Sequence, residues 1–316
     1  KKINDLKKGF PQDINMLMIA TLNEAGFDAH AVRLSTKSHG KLHPSYAMKS
    51  SFNKTVCHVK NGEEEYLLDA SNKSLPFNTL NKNCLNGKGM LVTDGNFKWV
   101  DLNPTKKSKK MSTGNFVIDD EGYLSGKLNV SRSGYNGIEF RSQHAKDIVD
   151  YKKQYAENKT SWYIDNHKVE GLTHSDKAVK EVLEFESDGF VESTGDLIIF
   201  SPLVIGRISE NPFKSSERHY PVNYGAPIEE LESFRIMVPS GFKPEELPSK
   251  LAIGLPDNGG SFIFNVQYMN GVILVSSRLV INKTEFPVEY YLSLREFYAQ
   301  IVEKHAEQIV LKREIG

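Results

Sequence analysis

The residues closest to a catalytic arrangement are Lys54 and Asp69, on apolar-rich runs at 52–59 and 66–70 that flank Asn61-Gly62. Asn-Gly is a strong hairpin signal, because a type I′ turn takes positive φ at both central residues. A two-residue turn there sets Lys60 opposite Glu63, His58 opposite Glu65, Val56 opposite Leu67 and Lys54 opposite Asp69. Opposite charges then meet at all but the Val56–Leu67 pair, each charged pair worth about 0.2–1 kcal/mol. The Lys54–Asp69 pair has two readings. One is a half-buried ion pair that orders a site without doing chemistry; the other is a plain surface pair worth under about 1 kcal/mol. The two cysteines are Cys57 and Cys84. In this register Cys57 points to the face opposite Lys54 and Asp69, which does not suit a nucleophile. His39 and His43 form a close pair in a Gly/Pro loop. A zinc site takes three or four converging ligands and the sequence offers no third, so no metal is expected. Asp257-Asn258-Gly259-Gly260 lacks the spaced acids and closing Glu of a calcium loop and reads as a hairpin turn. No phosphate-cradling loop or dinucleotide fingerprint is present, so no cofactor is expected.

Positioning Lys54 and Asp69 falls to a short α+β segment. Ile14, Leu17, Met18, Thr21 and Leu22 follow the spacing of a half-buried helix. Pro11 suits its first turn, Asp13 opposes the dipole, and Gly26 stops it. Residues 29–35 alternate as a strand, and 36–51 form a polar loop before the hairpin.

Residues 9–15 (Gly-Phe-Pro-Gln-Asp-Ile-Asn), Leu34-Ser35-Thr36, Phe52-Asn53, Leu67-Leu68-Asp69-Ala70-Ser71 and Cys84-Leu85-Asn86-Gly87-Lys88-Gly89 together carry a resemblance. The segment resembles the core of the transglutaminase-like (papain-like) cysteine enzymes, within bacterial multi-domain proteins of unknown function. In that family a Cys at a helix N-terminus is the nucleophile, a His on a following strand is the base, and an Asp on the next strand orients it; the helix end lowers the thiol pKa. The resemblance places the family's Cys on Pro11 and its His on or next to Lys54, with Asn53 as neighbour. Only Asp69 is kept. It also implies that the chain is a fragment or a processed form of a longer protein, with the family's preceding helix reduced to residues 3–8. A periplasmic or extracellular location follows from the resemblance alone.

The sequence has 316 residues, equal numbers of basic and acidic side chains, and no apolar run of about 18 residues. The length suits two or three domains. Zero net charge gives no general affinity for nucleic acid, and no membrane-spanning helix is expected. Lys106-Lys107-Ser108-Lys109-Lys110 reads as a solvated loop. Strands are expected at 90–92, 97–102, 116–118, 123–130 and 137–140, a polar helical stretch at 141–157, and a helix at 176–183 capped by Ser175. Beyond residue 209, runs at 218–224, 232–238, 250–255, 260–268 and 271–279 suggest a β-sandwich. One helix follows from Leu294 to about Lys304 under the capping box Ser293-x-x-Glu296, then a last strand at 308–312. Residues 126–141 resemble the middle region of the same bacterial proteins. Asn211-Pro212-Phe213, Arg218-x-Tyr220-Pro221-Val222, Pro239-Ser240-Gly241-Phe242 and the run Tyr290 to Tyr298 resemble their C-terminal domain.

The fold expected is therefore α+β and mostly β. A partial transglutaminase-like domain spans 1–102, a β-rich middle domain 103–208, and a sandwich-like domain with one helix 209–316. The function expected is a non-catalytic structural or binding module of an exported bacterial protein, its partner a protein, a peptide or a glycan. Two alternatives are open. One is an active cysteine protease, amidase or transglutaminase with a displaced nucleophile; the other is glycan or surface-protein binding by the C-terminal sandwich, by fold analogy.

Overall fold

Helix α1 runs Pro11–Glu24 with the proline in its first turn and Asp13 behind it. Gly26, at φ 86°, closes it. A computed structural model describes residues 8–46 and 48–314 of the chain, so the short helix expected at 3–8 lies outside the described residues except for Lys8. After α1 come β1 (Asp28–Leu34), β2 (Lys54–Asn61), β3 (Glu64–Leu68), β4 (Lys88–Thr93) and β5 (Asn96–Asp101). They form an antiparallel sheet in the order β3-β2-β1-β4-β5. Ile19, with Met18 and Leu22 beside it, packs α1 onto Ala29, Cys57 and Val59. Leu17, expected on this face, is exposed; Asn15 and Ile19 are the buried positions of α1.

The second unit holds the remaining elements. They are β6 (Ser108–Ile118), β7 (Leu124–Ser133), α2 (Gly134–His144), α3 (Ile148–Glu157), β8 (Trp162–Glu170), β9 (Val179–Ser187), β10 (Val191–Thr194) and β11 (Leu197–Phe200). Then follow β12 (Val222–Asn223), β13 (Ile228–Met237), β14 (Phe242–Glu246), β15 (Leu251–Leu255), β16 (Gly260–Met269), β17 (Val272–Ile281), β18 (Glu285–Phe286), α4 (Tyr291–Ala306) and β19 (Ile309–Arg313). Eight strands make one sheet, β15-β16-β17-β13-β6-β7-β9-β8, antiparallel except at β6/β13. A four-stranded sheet, β10-β11-β19-β14, and the short pair β12-β18 complete it. One apolar core joins both larger sheets to α4: Phe116, Leu183 and Phe264 from the first, Ile198 and Leu311 from the second, Leu294 and Ile301 from the helix. The architecture is α+β and mostly β. No helix of the described residues is long and apolar enough to cross a membrane.

Several expectations are corrected. The boundary at 208/209 falls inside one compact unit. The chain divides into residues 1–106 with 173–176, and 107–172 with 177–316, because β6 and β13, from either side of 208, pair over their whole length. The segment expected as a helix at 176–183 is mostly β9: Val179, Glu181, Leu183 and Phe185 are buried at every second residue, a period a helix cannot satisfy. The strand expected at 137–140 belongs to α2, where Tyr135, Ile138 and Arg141 are buried at three-residue spacing. Residues 141–157 carry two helices, not one. Lys109 and Lys110 open β6 rather than sitting in a loop, and Lys109 pairs with Glu229 at 3.2 Å. A 3-10 turn at Val288–Tyr290 starts α4 upstream of Ser293, so that serine lies inside the helix and caps nothing.

The hairpin register also shifts by two. Its turn is Gly62-Glu63, so Lys60 faces Glu65 and His58 faces Leu67. Gly62 has φ 63° while Glu63 stays negative, the φ pattern of a II′ rather than a I′ turn. Lys54 therefore does not oppose Asp69 in the ladder.

In the core of unit 2, Glu232 on β13 is buried, flanked in register by Ser112 and Ser277. Gly206, at φ 84°, packs directly on it; a Cβ there would fall 2.6 Å from Glu232 Oε1. Burial pushes this carboxyl up to about 8, with Lys110 opposing and Glu230 reinforcing the shift. His305 on α4 is buried as well, accepting from the Ile208 amide at 3.0 Å and lying 3.2 Å from Ser277 Oγ. Burial, aided by Arg207, lowers it to about 4. The two groups act with opposite signs. A raised acid costs stability as pH climbs from its unfolded value toward its folded one, and a lowered base costs stability as pH falls. Glu232→Gln is expected to match the parent below pH 4.5 and to gain on it as pH rises, by about 2–4 kcal/mol above pH 8. Urea midpoints measured from pH 4 to 9 check this; a difference that stays flat with pH removes the assignment.

Candidate functional site

The site is built on Asn15. This residue is fully buried one turn into α1, and every hydrogen-bonding atom of its side chain is used. Nδ2 donates to Asp69 Oδ1 and to the Thr55 carbonyl, each at 2.9 Å, and Oδ1 accepts from the Ala70 amide at 2.8 Å. One side chain thus ties the helix to β2 and to the segment that follows β3. A polar side chain this deep is held in place by the cost of leaving any of its groups unmade.

Asp69 lies just past the end of β3 with its side chain wholly shielded from solvent. Oδ1 accepts from Asn15, from the Ser71 amide at 3.0 Å and from Ser71 Oγ at 2.5 Å. Oδ2 lies 2.6 Å from Lys54 Nζ, as an ion pair rather than an aligned hydrogen bond. Burial alone pushes the carboxyl up, but the Lys54 ammonium and these donors outweigh it and hold Asp69 below the ordinary carboxylate value. Lys54, at the start of β2, keeps 18% of its side chain exposed. Burial lowers its ammonium; Cys84 and Asp69 more than offset this and leave it raised. The pair expected from the sequence is thus present despite the changed register, reached diagonally rather than directly across the ladder. The half-buried reading holds over the surface one. His58 and Glu65 likewise meet as a diagonal pair, at 3.1 Å.

Lys54 opens into a cleft of about 390 Å³ lined by Pro11, Gln12, Thr36, Ser38, Asn53, Asn81, Asn83 and Cys84. Its polar lining is braced from within. Asn53 Nδ2 donates to Thr36 Oγ1 at 2.8 Å, while Asn53 Oδ1 accepts from the Thr36 amide. Asn83 Nδ2 donates to Ser38 Oγ at 3.1 Å, and Asn81 caps the 3-10 turn Lys82–Cys84. Pro11 stands at the helix end and brings neither a nucleophilic atom nor an N–H.

The cysteines are divided. Cys57 is buried under α1, its thiol pushed up by burial to about 11. Cys84, which the sequence does not connect to Pro11, lines the same cleft and reaches the Lys54 ammonium. It is 1% exposed. Burial raises its thiol, and the nearby ammonium recovers only part of the shift. Asn15 is the other residue that sequence reasoning missed. An asparagine on the buried stripe of a helix, where an aliphatic residue would fit the period, was the available signal.

His39 and His43 do not converge: His39 lies 3.0 Å from the Ser50 carbonyl, and His43 packs against Tyr46. No cluster of three or more His, Cys, Asp or Glu side chains suited to a metal occurs among the described residues. Asp257 and Asn258, at φ 51° and 53°, form the turn between β15 and β16. Tyr291, Phe297 and Tyr298 are core residues of α4.

The family model of a domain of unknown function with a solved structure, DUF3858, matches residues 196–311, from the edge of β11 into β19. The crystal structure of a protein from Parabacteroides distasonis ATCC 8503, described as a “putative protease”, is similar to this chain with a TM-score of 0.52 at 12% identity. The match covers 96% of this chain and 44% of that one, so the chain spans less than half of that protein's length. At this identity the likeness is one of fold alone. No curated protein matches the sequence.

Breaking the Lys54–Asp69 pair from one side leaves a desolvated charge, which costs more than removing both charges. Asp69→Asn is expected to lower stability by about 2–4 kcal/mol, and Lys54→Met with Asp69→Asn to recover at least half of it. Chemical denaturation of the single and double variants measures this coupling. Additive losses contradict it.

Proposed function

We propose that the cleft at the start of α1 is a peptide- or protein-binding site on a transglutaminase-like, protease-derived scaffold that has exchanged catalysis for rigidity. The observation that carries this is the 2.6 Å Lys54–Asp69 ion pair beside a proline at the helix start; the sequence resemblance puts the family's base and its orienting carboxylate at these two positions. A lysine held protonated by a buried carboxylate cannot accept a proton at neutral pH, so general-base activation of a nucleophile is lost. The cleft's amide and hydroxyl side chains are groups that hydrogen-bond a peptide backbone, and their internal bracing fixes them before a ligand arrives. In this reading the chain is a structural or binding module of an exported bacterial protein, periplasmic or extracellular; that location is carried by the sequence resemblance.

A second reading has one observation in its favour. Cys84 shares the cleft with Lys54, as a displaced nucleophile would. Its near-complete burial and raised thiol oppose this, because reactive cysteines are exposed thiolates.

The two readings separate in one set of assays. The full chain is expected to show no hydrolysis of unfolded protein substrates, no amine incorporation, and slow alkylation of Cys84. It is expected to bind a subset of an immobilised peptide library, and Ser38→Trp at the cleft rim to abolish that binding. Turnover that disappears in Cys84→Ala and in Asp69→Ala would establish the enzyme instead.

A further inference from the structure

A second cleft, of about 500 Å³, lies wholly within the β-rich unit. Its floor is the face of the eight-stranded sheet, at Lys110 on β6, Val130 and Arg132 on β7, and Glu181 on β9. One wall comes from Tyr155 and Lys159, at and just after α3; another from Phe190; a third from the irregular segment at 201–207, including Leu203, Val204 and Arg207.

The charges are unevenly matched. Glu181 is 1% exposed and already engaged: Arg132 lies 2.7 Å from Oε2, His167 2.7 Å and Tyr151 2.9 Å from Oε1. Arg132 is thereby neutralised, and its guanidinium is also seated over the Phe140 ring. The other three cations, Lys110, Lys159 and Arg207, have no ion-pair partner among the described residues. Glu230 pairs with Lys110 in the strand register without an ion pair, and Glu232 lies behind Gly206. Lys159 is half-buried, its ammonium 4.8 Å from the Trp162 ring. Lys159 thus has an aromatic ring but no carboxylate for a partner, which leaves its N–H groups available to an anion as well as to the ring. Phe190, Leu203 and Val204 add apolar surface to the other walls.

We propose that this cleft binds a small organic anion, its carboxylate or phosphate head held by Lys159, Lys110 and Arg207 and its apolar body against Phe190, Leu203 and Val204. Cations that line one concave site can bind such heads through charge-assisted hydrogen bonds, and a few polar groups on an apolar pocket are the usual make-up of a small-molecule site. The site is independent of the Lys54 cleft.

The test uses the full chain with 3-phenylpropionate, phenyl phosphate and the neutral 3-phenylpropanamide, followed by isothermal titration and thermal shift. At least one anion is expected to bind saturably, the amide to bind about tenfold or more weaker, and added salt to weaken the anion. Which anion binds tighter separates a carboxylate ligand from a phosphate one. Arg207→Gln, at an exposed position, and Lys159→Gln are each expected to weaken binding by about tenfold, with Lys243→Gln, on the surface strand β14, unchanged. If neither anion binds, if the amide binds as tightly, or if Arg207→Gln folds normally and retains full affinity, the proposal is overturned.

Discussion

Three carboxylates among the described residues are taken out of water, and much of the organisation around them manages that cost. An isolated carboxylate loses several kcal/mol of hydration on burial, so each must be paired, bonded or protonated. Asp69 is paired and bonded, by Lys54, Asn15 and Ser71. Glu181 takes three partners from three elements, on β7, α3 and β8, and stays below the ordinary carboxylate value although burial pushes the other way. Glu232 lacks such partners and is held neutral near pH 7. Desolvation is common to all three; the local supply of donors decides the ionisation state.

Each solution shapes its surroundings. Keeping Asp69 charged fixes α1 against β2, because Asn15 can satisfy its donors only in that docking. The cleft beside it is consequently a stiff one. The cleft of the β-rich unit is built differently: one of its cations is spent on Glu181, and the other three have no ion-pair partner among the described residues. Two concave sites therefore differ in kind, one internally satisfied and shaped, the other with electrostatic potential unspent.

Local chemistry was legible in the sequence where neighbours in the chain are neighbours in space. The Pro11 start and Gly26 stop of α1, the β4–β5 hairpin around Asp94-Gly95-Asn96, and the strands on either side of Asn270-Gly271 are of this kind. So was the approach of Lys54 to Asp69, although the turn formed at Gly62-Glu63 and slid the ladder by two; side chains as long as lysine reach a diagonal partner. What was not legible was decided at long range. Ser175 and Asp176 look like a helix start, but Val179, Glu181, Leu183 and Phe185 answer to the sheet on which they are buried. Cys84 enters the Lys54 cleft from a turn fifteen residues beyond Asp69, and nothing near it in sequence announces that. The pairing of β6 with β13 left no local trace, and a three-domain division followed from missing it.

That β6–β13 seam sets a timetable for folding. The strands are separated by more than a hundred residues, and closing so long a loop costs entropy before any ladder bond forms. Until β13 emerges from the ribosome and docks, the sheet half β6-β7-β9-β8 presents β6 as a bare edge, a template for pairing with another chain. Non-local, parallel pairing is slow to form. The five strands of the first unit, by contrast, all lie within residues 28–101, so its sheet needs no partner from late in the chain. An exposed β6 edge is therefore where misassociation of a partly synthesised chain would be expected to start.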